Sequence, residues 1–104
     1  MSEAPRKLTH EEIKLALSRL AGWEVVAGKL HREYRFRDFV EAWSFMSGAA
    51  LLVQQMDHHP EWFNVYGTVR VHLATHDAGG ITHKDFELAR AMDAIAEPRP
   101  AAAT

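Results

Sequence analysis

The sequence predicts an α+β domain in which a four-stranded antiparallel sheet carries three helices packed on one face, in the order α-β-β-α-β-β-α. Three observations carry the prediction. Two stretches alternate apolar and polar residues with a glycine-bearing turn in each, three stretches show helical apolar spacing, and the members of each strand pair lie close enough to be hairpins.

Thr9 and Glu12 have the spacing of a capping box, and Ile13, Leu15, Ala16, Leu17 and Leu20 form an apolar stripe that ends before Gly22. From Trp23 the period becomes two: Trp23, Val25 and Ala27 alternate with Glu24 and Val26, Gly28-Lys29 supplies a turn, and Leu30, Tyr34 and Phe36 continue beyond it. Asp38 and Glu41 offer a second capping box, and no proline interrupts Phe39 to Met56, which predicts the longest helix. Phe39, Trp43, Met46, Ala50 and Val53 are expected to cover the sheet. Val40, Phe45, Leu51 and Leu52 extend the apolar surface round the helix, which points to a second subunit on that side, with a wholly intramolecular core helix as the alternative. Phe63, Val65, Val69, Val71 and Leu73 predict strands Trp62 to Tyr66 and Thr68 to Thr75 about Gly67, and Thr82 is expected to cap a third helix reaching Ala96 through Phe86, Ala89, Met92 and Ile95. The whole, 1–104, reads as a single domain with loose ends at about 1–7 and 97–104, the latter carrying two prolines and no apolar period.

A chain of 104 residues, 47% hydrophobic, has material for one core. Twelve basic and fourteen acidic side chains are well mixed, so no basic stripe is available to neutralise a nucleic-acid backbone. The absence of cysteine removes disulfides, thiolate metal sites and a cysteine nucleophile, and fits a reducing compartment. The charged MSEAPRKLTHEE start and the lack of a long apolar run predict a soluble, cytoplasmic protein with no membrane partner.

The segment MDHHPEWFNVYGTVRVHLATHD holds the candidate chemistry. His58 and His59 lie in the loop after the long helix, and His76 follows the last strand. Antiparallel pairing brings the start of one strand beside the end of the other, so these imidazoles are expected at one sheet edge. Imidazole titrates near neutrality, which suits acid–base work, and Asp57, Asp77 and Asp85 could orient the rings. Plainer readings stand beside this one. A His-His pair in a loop needs no explanation, Asp85 could simply cap the third helix three residues after Thr82, and Trp62, Phe63 and Tyr66 could be packing. His10, His31, His72 and His83 read as scattered surface or strand residues without a role. Three histidines and a carboxylate match the ligand count of a catalytic zinc site, but adjacent residues in extended chain point opposite ways and no helical His-x-x-x-His pair is present, so no metal is expected.

The run His58-His59-Pro60, five residues, Tyr66, nine residues, His76, eight residues, Asp85 resembles the signature of the pterin-4a-carbinolamine dehydratases, as do DHHPEWFNVY, THDAGGIT and the D-x-x-LA helix. The resemblance runs from about Leu8 to Ala96. It implies dehydration of a 4a-hydroxytetrahydropterin to the quinonoid dihydropterin in tetrahydrobiopterin-type recycling, with the pterin as substrate and no cofactor. It also implies His58 and His76 as alternative proton donors, His59 orienting the pterin, and Asp57, Trp62, Thr75 and Asp85 lining the pocket. One departure is Gln54, where the family often has an ionisable residue. The same resemblance implies homo-oligomers, typically tetramers built as dimers of dimers. It further implies an alternative role as dimerisation cofactor of a homeodomain transcription factor, acting through the helix from Phe39 to Met56.

Overall fold

The computed structural model describes residues 5–96. In order they form α1 (His10–Leu17), β1 (Glu24–Val26), β2 (Lys29–Arg35), α2 (Phe39–Met56), β3 (Glu61–Val65), β4 (Thr68–Leu73), a 3-10 turn (His76–Ala78) and α3 (His83–Ala96). The sheet is antiparallel throughout, in the order β1-β2-β4-β3. Of the two ends expected to be loose, 97–104 and the first four residues lie outside the described residues. Residues 5–7 belong to no helix or strand, yet Arg6 forms a two-pronged pair with Glu12 at 2.7 Å.

Local rules account for the boundaries. Thr9 and Glu12 close the predicted capping box reciprocally, at 3.1 and 2.9 Å. Asp38 caps α2 through the Glu41 amide, but Glu41 reaches back to the Arg37 amide, so that box is only half formed. Gly67 is fixed by close approach: a Cβ there would stand 2.5 Å from the Phe36 carbonyl oxygen, and the Phe36 amide donates to the Gly67 carbonyl at 2.7 Å.

Cross-strand register decides which sheet face is covered. Leu30 pairs with Leu73, Tyr34 with Val69 and Trp62 with Val71, and this face is buried. The face bearing His31, His72, Glu33, Arg70 and Phe63 is more open. The predicted apolar alternation of β3 therefore has the opposite parity: Phe63 and Val65 are exposed, while Trp62 and Asn64 are half-buried beside Val71 and Val69. All of β1 is exposed, and Trp23 just before it is buried.

The face of α2 also differs from expectation. Ala42, Phe45, Ala49 and Val53 are buried, whereas Phe39 and Trp43, expected against the sheet, are exposed, as are Val40 and Leu51. Small Ala42 and Ala49 face the interior, so Trp43, next to Ala42 in the chain, falls outside, as does Phe39 at the start of the helix. Burying a side chain of Phe or Leu size contributes about 1.5–3 kcal/mol, and the core collects such residues from β2, β4, α2 and α3: Leu30, Leu73, Phe45, Phe86, Leu88 and Met92.

Candidate functional site

The end of α2 sets the position of the first histidine. Asp57 adopts left-handed geometry (φ 51°, ψ 43°), which Asp tolerates better than most residues. The Asp57 amide then donates to the Gln54 carbonyl and the His58 amide to the Val53 carbonyl, the paired bonds of a Schellman cap. The chain leaves the helix at His58, and Pro60 leads into β3.

The start of α3 supplies the partner. Thr82 caps it, accepting from the Lys84 amide at 3.2 Å, while the Asp85 carboxylate reaches back to the Thr82 amide at 2.8 Å. The other carboxylate oxygen, Oδ1, takes His58 Nε2 at 2.6 Å. Capping and ring orientation, which the sequence offered as alternatives for Asp85, are two jobs of one carboxylate. Thr75 Oγ1 donates to Asp85 Oδ2 at 2.9 Å and lies 2.8 Å from Thr82 Oγ1. His58, Thr75, Thr82 and Asp85 are all buried. A carboxylate only accepts, so His58 holds its proton on Nε2 and the neutral ring keeps its lone pair on Nδ1, a tautomer inferred from this network.

His76 opens the 3-10 turn after β4 and is exposed. The loop is tied by the Thr75 amide to the Gly80 carbonyl at 2.9 Å and by the Leu8 amide to the Ile81 carbonyl at 2.8 Å. With Thr75, Gly79 and Gly80, His76 lines a recess of about 250 Å³ whose opposite wall is the β1–β2 turn, Ala27 to Lys29. Lys29 in turn pairs with Glu61 at 2.5 Å and holds that carboxyl below the usual range. A larger hollow of about 1090 Å³ beside β2, α2 and α3 contains none of the predicted site residues. The smaller recess adjoins the His58–Asp85 group through Thr75, which lines the one and bonds to the other.

The structure thus brings His58, Thr75 and Asp85 into one hydrogen-bonded group, with His76 next to Thr75 in the chain. His59 and Asp57 are exposed and enter none of the described side-chain hydrogen bonds, and Trp62 packs, half-buried, against the core. Among the described residues no three His, Cys, Asp or Glu side chains are placed to share a metal ion. Two features escaped the sequence reading. Thr82 belongs to the network, a role its cap spacing concealed. His31 and His72, read from the sequence as scattered surface or strand residues without a role, stack across β2 and β4 with centroids 4.3 Å apart.

Fold and site define a class: a small α+β protein holding a buried imidazole–carboxylate pair at the end of an antiparallel sheet, beside an open recess with a further histidine. The family model described as Pterin 4 alpha carbinolamine dehydratase matches residues 6–95. A relative from Solibacter usitatus, provisionally named a pterin-4-alpha-carbinolamine dehydratase, is 58% identical over 90 residues, 86% of this chain and 95% of its own. One from Burkholderia multivorans, with the same provisional name, is 53% identical over 98 residues, 91% of this chain and 96% of its own. The crystal structure of a transcriptional coactivator/pterin dehydratase from Brucella melitensis superposes with a TM-score of 0.85 at 47% identity, covering 88% of this chain and 99% of that one. The chain belongs to the pterin-4a-carbinolamine dehydratase family.

Proposed function

We propose that the protein dehydrates 4a-hydroxytetrahydropterins to quinonoid dihydropterins, the step that returns a pterin cofactor to its recycling route after hydroxylation. The hydrogen bond from His58 Nε2 to buried Asp85, beside the recess at His76, carries this reading. Family membership supports it independently.

In the reaction the N5 lone pair forms the C4a–N5 double bond as the C4a–O bond breaks. A proton is delivered to the departing hydroxide, which leaves as water, and the N5 proton passes to a base. The reaction is an elimination of water assisted by proton transfer, with no net change of oxidation state, so the chemistry calls on no redox group or metal. His58, held by Asp85 through Nε2, turns Nδ1 to the pterin: the imidazolium form donates from Nδ1 to the leaving oxygen, and the neutral ring so formed takes up a proton there again. His76, on the exposed side, serves a hydroxyl on the other ring face, and His59 orients the pterin. Asp57, Trp62 and Thr75 complete the pocket. Gln54 is exposed on the last turn of α2 and, being an amide, contributes hydrogen bonds and not a proton. A cytoplasmic setting is proposed from the cysteine-free composition. No helix among the described residues is long and apolar enough to cross a membrane.

A stopped-flow assay of carbinolamine dehydration, with and without protein, tests the reading. Acceleration proportional to protein concentration is expected, and a rate equal to the spontaneous one refutes it.

A second reading has one observation in its favour. The exposed α2 residues Phe39, Val40, Trp43 and Leu51 form an apolar surface suited to a helical partner or another copy of the chain. Co-sedimentation of the purified protein with a candidate partner, and its own sedimentation profile, separate the two occupants.

A further inference from the structure

Thr82 forms none of the described hydrogen bonds with His58, yet its hydroxyl stands at the head of a line of hydrogen bonds that ends at that ring. The order of donation along the line is fixed. Asp85 has no hydrogen to give, so the 2.9 Å contact with Oδ2 uses the proton of Thr75. The 2.8 Å contact between the two hydroxyls must then use the proton of Thr82, with Thr75 accepting. The Thr82 oxygen accepts in turn from the Lys84 amide at 3.2 Å. Oδ2 thereby holds two donors, Thr75 and the Thr82 amide at 2.8 Å, which leaves Oδ1 for His58. Thr82 and Asp85 are fully buried, and no buried side-chain nitrogen or oxygen among the described residues lacks a partner, so water does not compete for these positions.

We propose that Thr82 is a positioning residue. Acting through Thr75 and Asp85, it locks His58 in the Nε2–H tautomer and so presents Nδ1 as the nitrogen that exchanges protons with the pterin. The kinetic half of this inference rests on the dehydratase reading; the tautomer half does not.

The variants are Thr82→Val, which keeps the shape and removes the hydroxyl, Thr82→Ser, which keeps the hydroxyl, and Thr75→Val, which breaks the line one step nearer the ring. Ring-nitrogen NMR of His58 in the resting protein reads the tautomer directly. Thr82→Val and Thr75→Val should raise the Nδ1–H fraction, whereas Thr82→Ser should match the parent. For the carbinolamine isomer served by His58, Thr82→Val should lower kcat about two- to tenfold, the worth of one hydrogen bond, with KM and the isomer served by His76 unchanged. Thr82→Ser should restore kcat. A His58 ring that stays wholly Nε2–H in both valine variants overturns the proposal, as does a Thr82→Val loss spread equally over both isomers in step with melting temperature. Should Thr82→Val not fold, Thr75→Val and Thr82→Ser still decide the tautomer question. If the tautomer shifts while the parent protein fails to beat the spontaneous rate, the positioning role stands and the dehydratase reading falls. The reverse pattern spares the dehydratase reading alone.

Discussion

Two carboxylates on α3 gather donors in the same manner. Asp85, fully buried in the first turn, accepts from His58, Thr75 and the Thr82 amide. Asp93, two turns on and partly exposed, accepts from Trp23 Nε1 at 3.0 Å, Arg32 at 2.9 Å and the Tyr34 hydroxyl at 2.5 Å. The donors differ in kind. Indole and guanidinium keep their protons at any physiological pH, and burial, then the hydrogen bond to Asp93, pushes the Tyr34 hydroxyl well above its ordinary value. Asp93 is thus a fastener joining Trp23, β2 and α3. Only the Asp85 group contains an imidazole, a ring whose second nitrogen can take or give a proton. A buried acceptor becomes chemical machinery through the donor it holds, not through its own burial.

That contrast can be broken from either side. The largest effect is expected from the rings: His58→Ala and His76→Ala should each slow a preferred carbinolamine isomer by roughly a hundred- to ten-thousand-fold, and the double variant should approach the spontaneous rate, while Tyr34→Phe at the other hub leaves both isomers at the parental rate. Next comes Asp85→Asn, for which a loss of about a hundredfold or more in kcat follows from a ring free to take the wrong tautomer. Asp93→Asn should instead keep kcat and lower stability by about 1–3 kcal/mol, since it weakens a charged acceptor with several donors; thermal unfolding would show this as a drop of several degrees or more. Outside both hubs, Leu51→Glu on the exposed face of α2 should shift sedimentation to smaller species with the fold intact. An unchanged profile would remove α2 from the subunit interface.

The smallest effect concerns pH. Burial, and then the neighbouring His31, holds His72 below the ordinary histidine value of about 6.5. As pH falls through 6.5 the unfolded chain therefore binds a proton that the folded chain refuses, and stability declines. His72→Gln should flatten the fall of melting temperature between about pH 7 and pH 5. An equal fall in both proteins would show that His72 does not contribute.

Signals that act within a few residues were the legible ones. The Thr9–Glu12 box, the Asp38 cap and the glycine turns placed every helix and strand to within a few positions. What failed was the choice of face, which depends on partners far away in the chain. Hydropathy favoured Phe39 and Trp43 on α2, but the buried side is the one where Ala42 and Ala49 are small. In β3 the pairing of Trp62 with Val71 outweighed the apolar character of Phe63 and Val65. At the site, strand pairing alone predicted that the loop before β3 and the end of β4 would meet. Asp85 was legible as one of three aspartates able to orient a ring, and Thr75 only as a pocket residue implied by the resemblance; their bonds span 27 and 10 residues, and no local periodicity encodes them. Thr82 was visible only as a cap.

The Schellman cap at the end of α2 gives the site a clock. The amide of His58 is bonded to the Val53 carbonyl at 3.2 Å, so the residue whose ring meets Asp85 is also the residue whose backbone closes the helix. Fraying of that last turn releases the amide to solvent and withdraws the imidazole from its carboxylate in a single event. Deuterium uptake at the His58 amide therefore counts the openings of the His58–Asp85 pair itself.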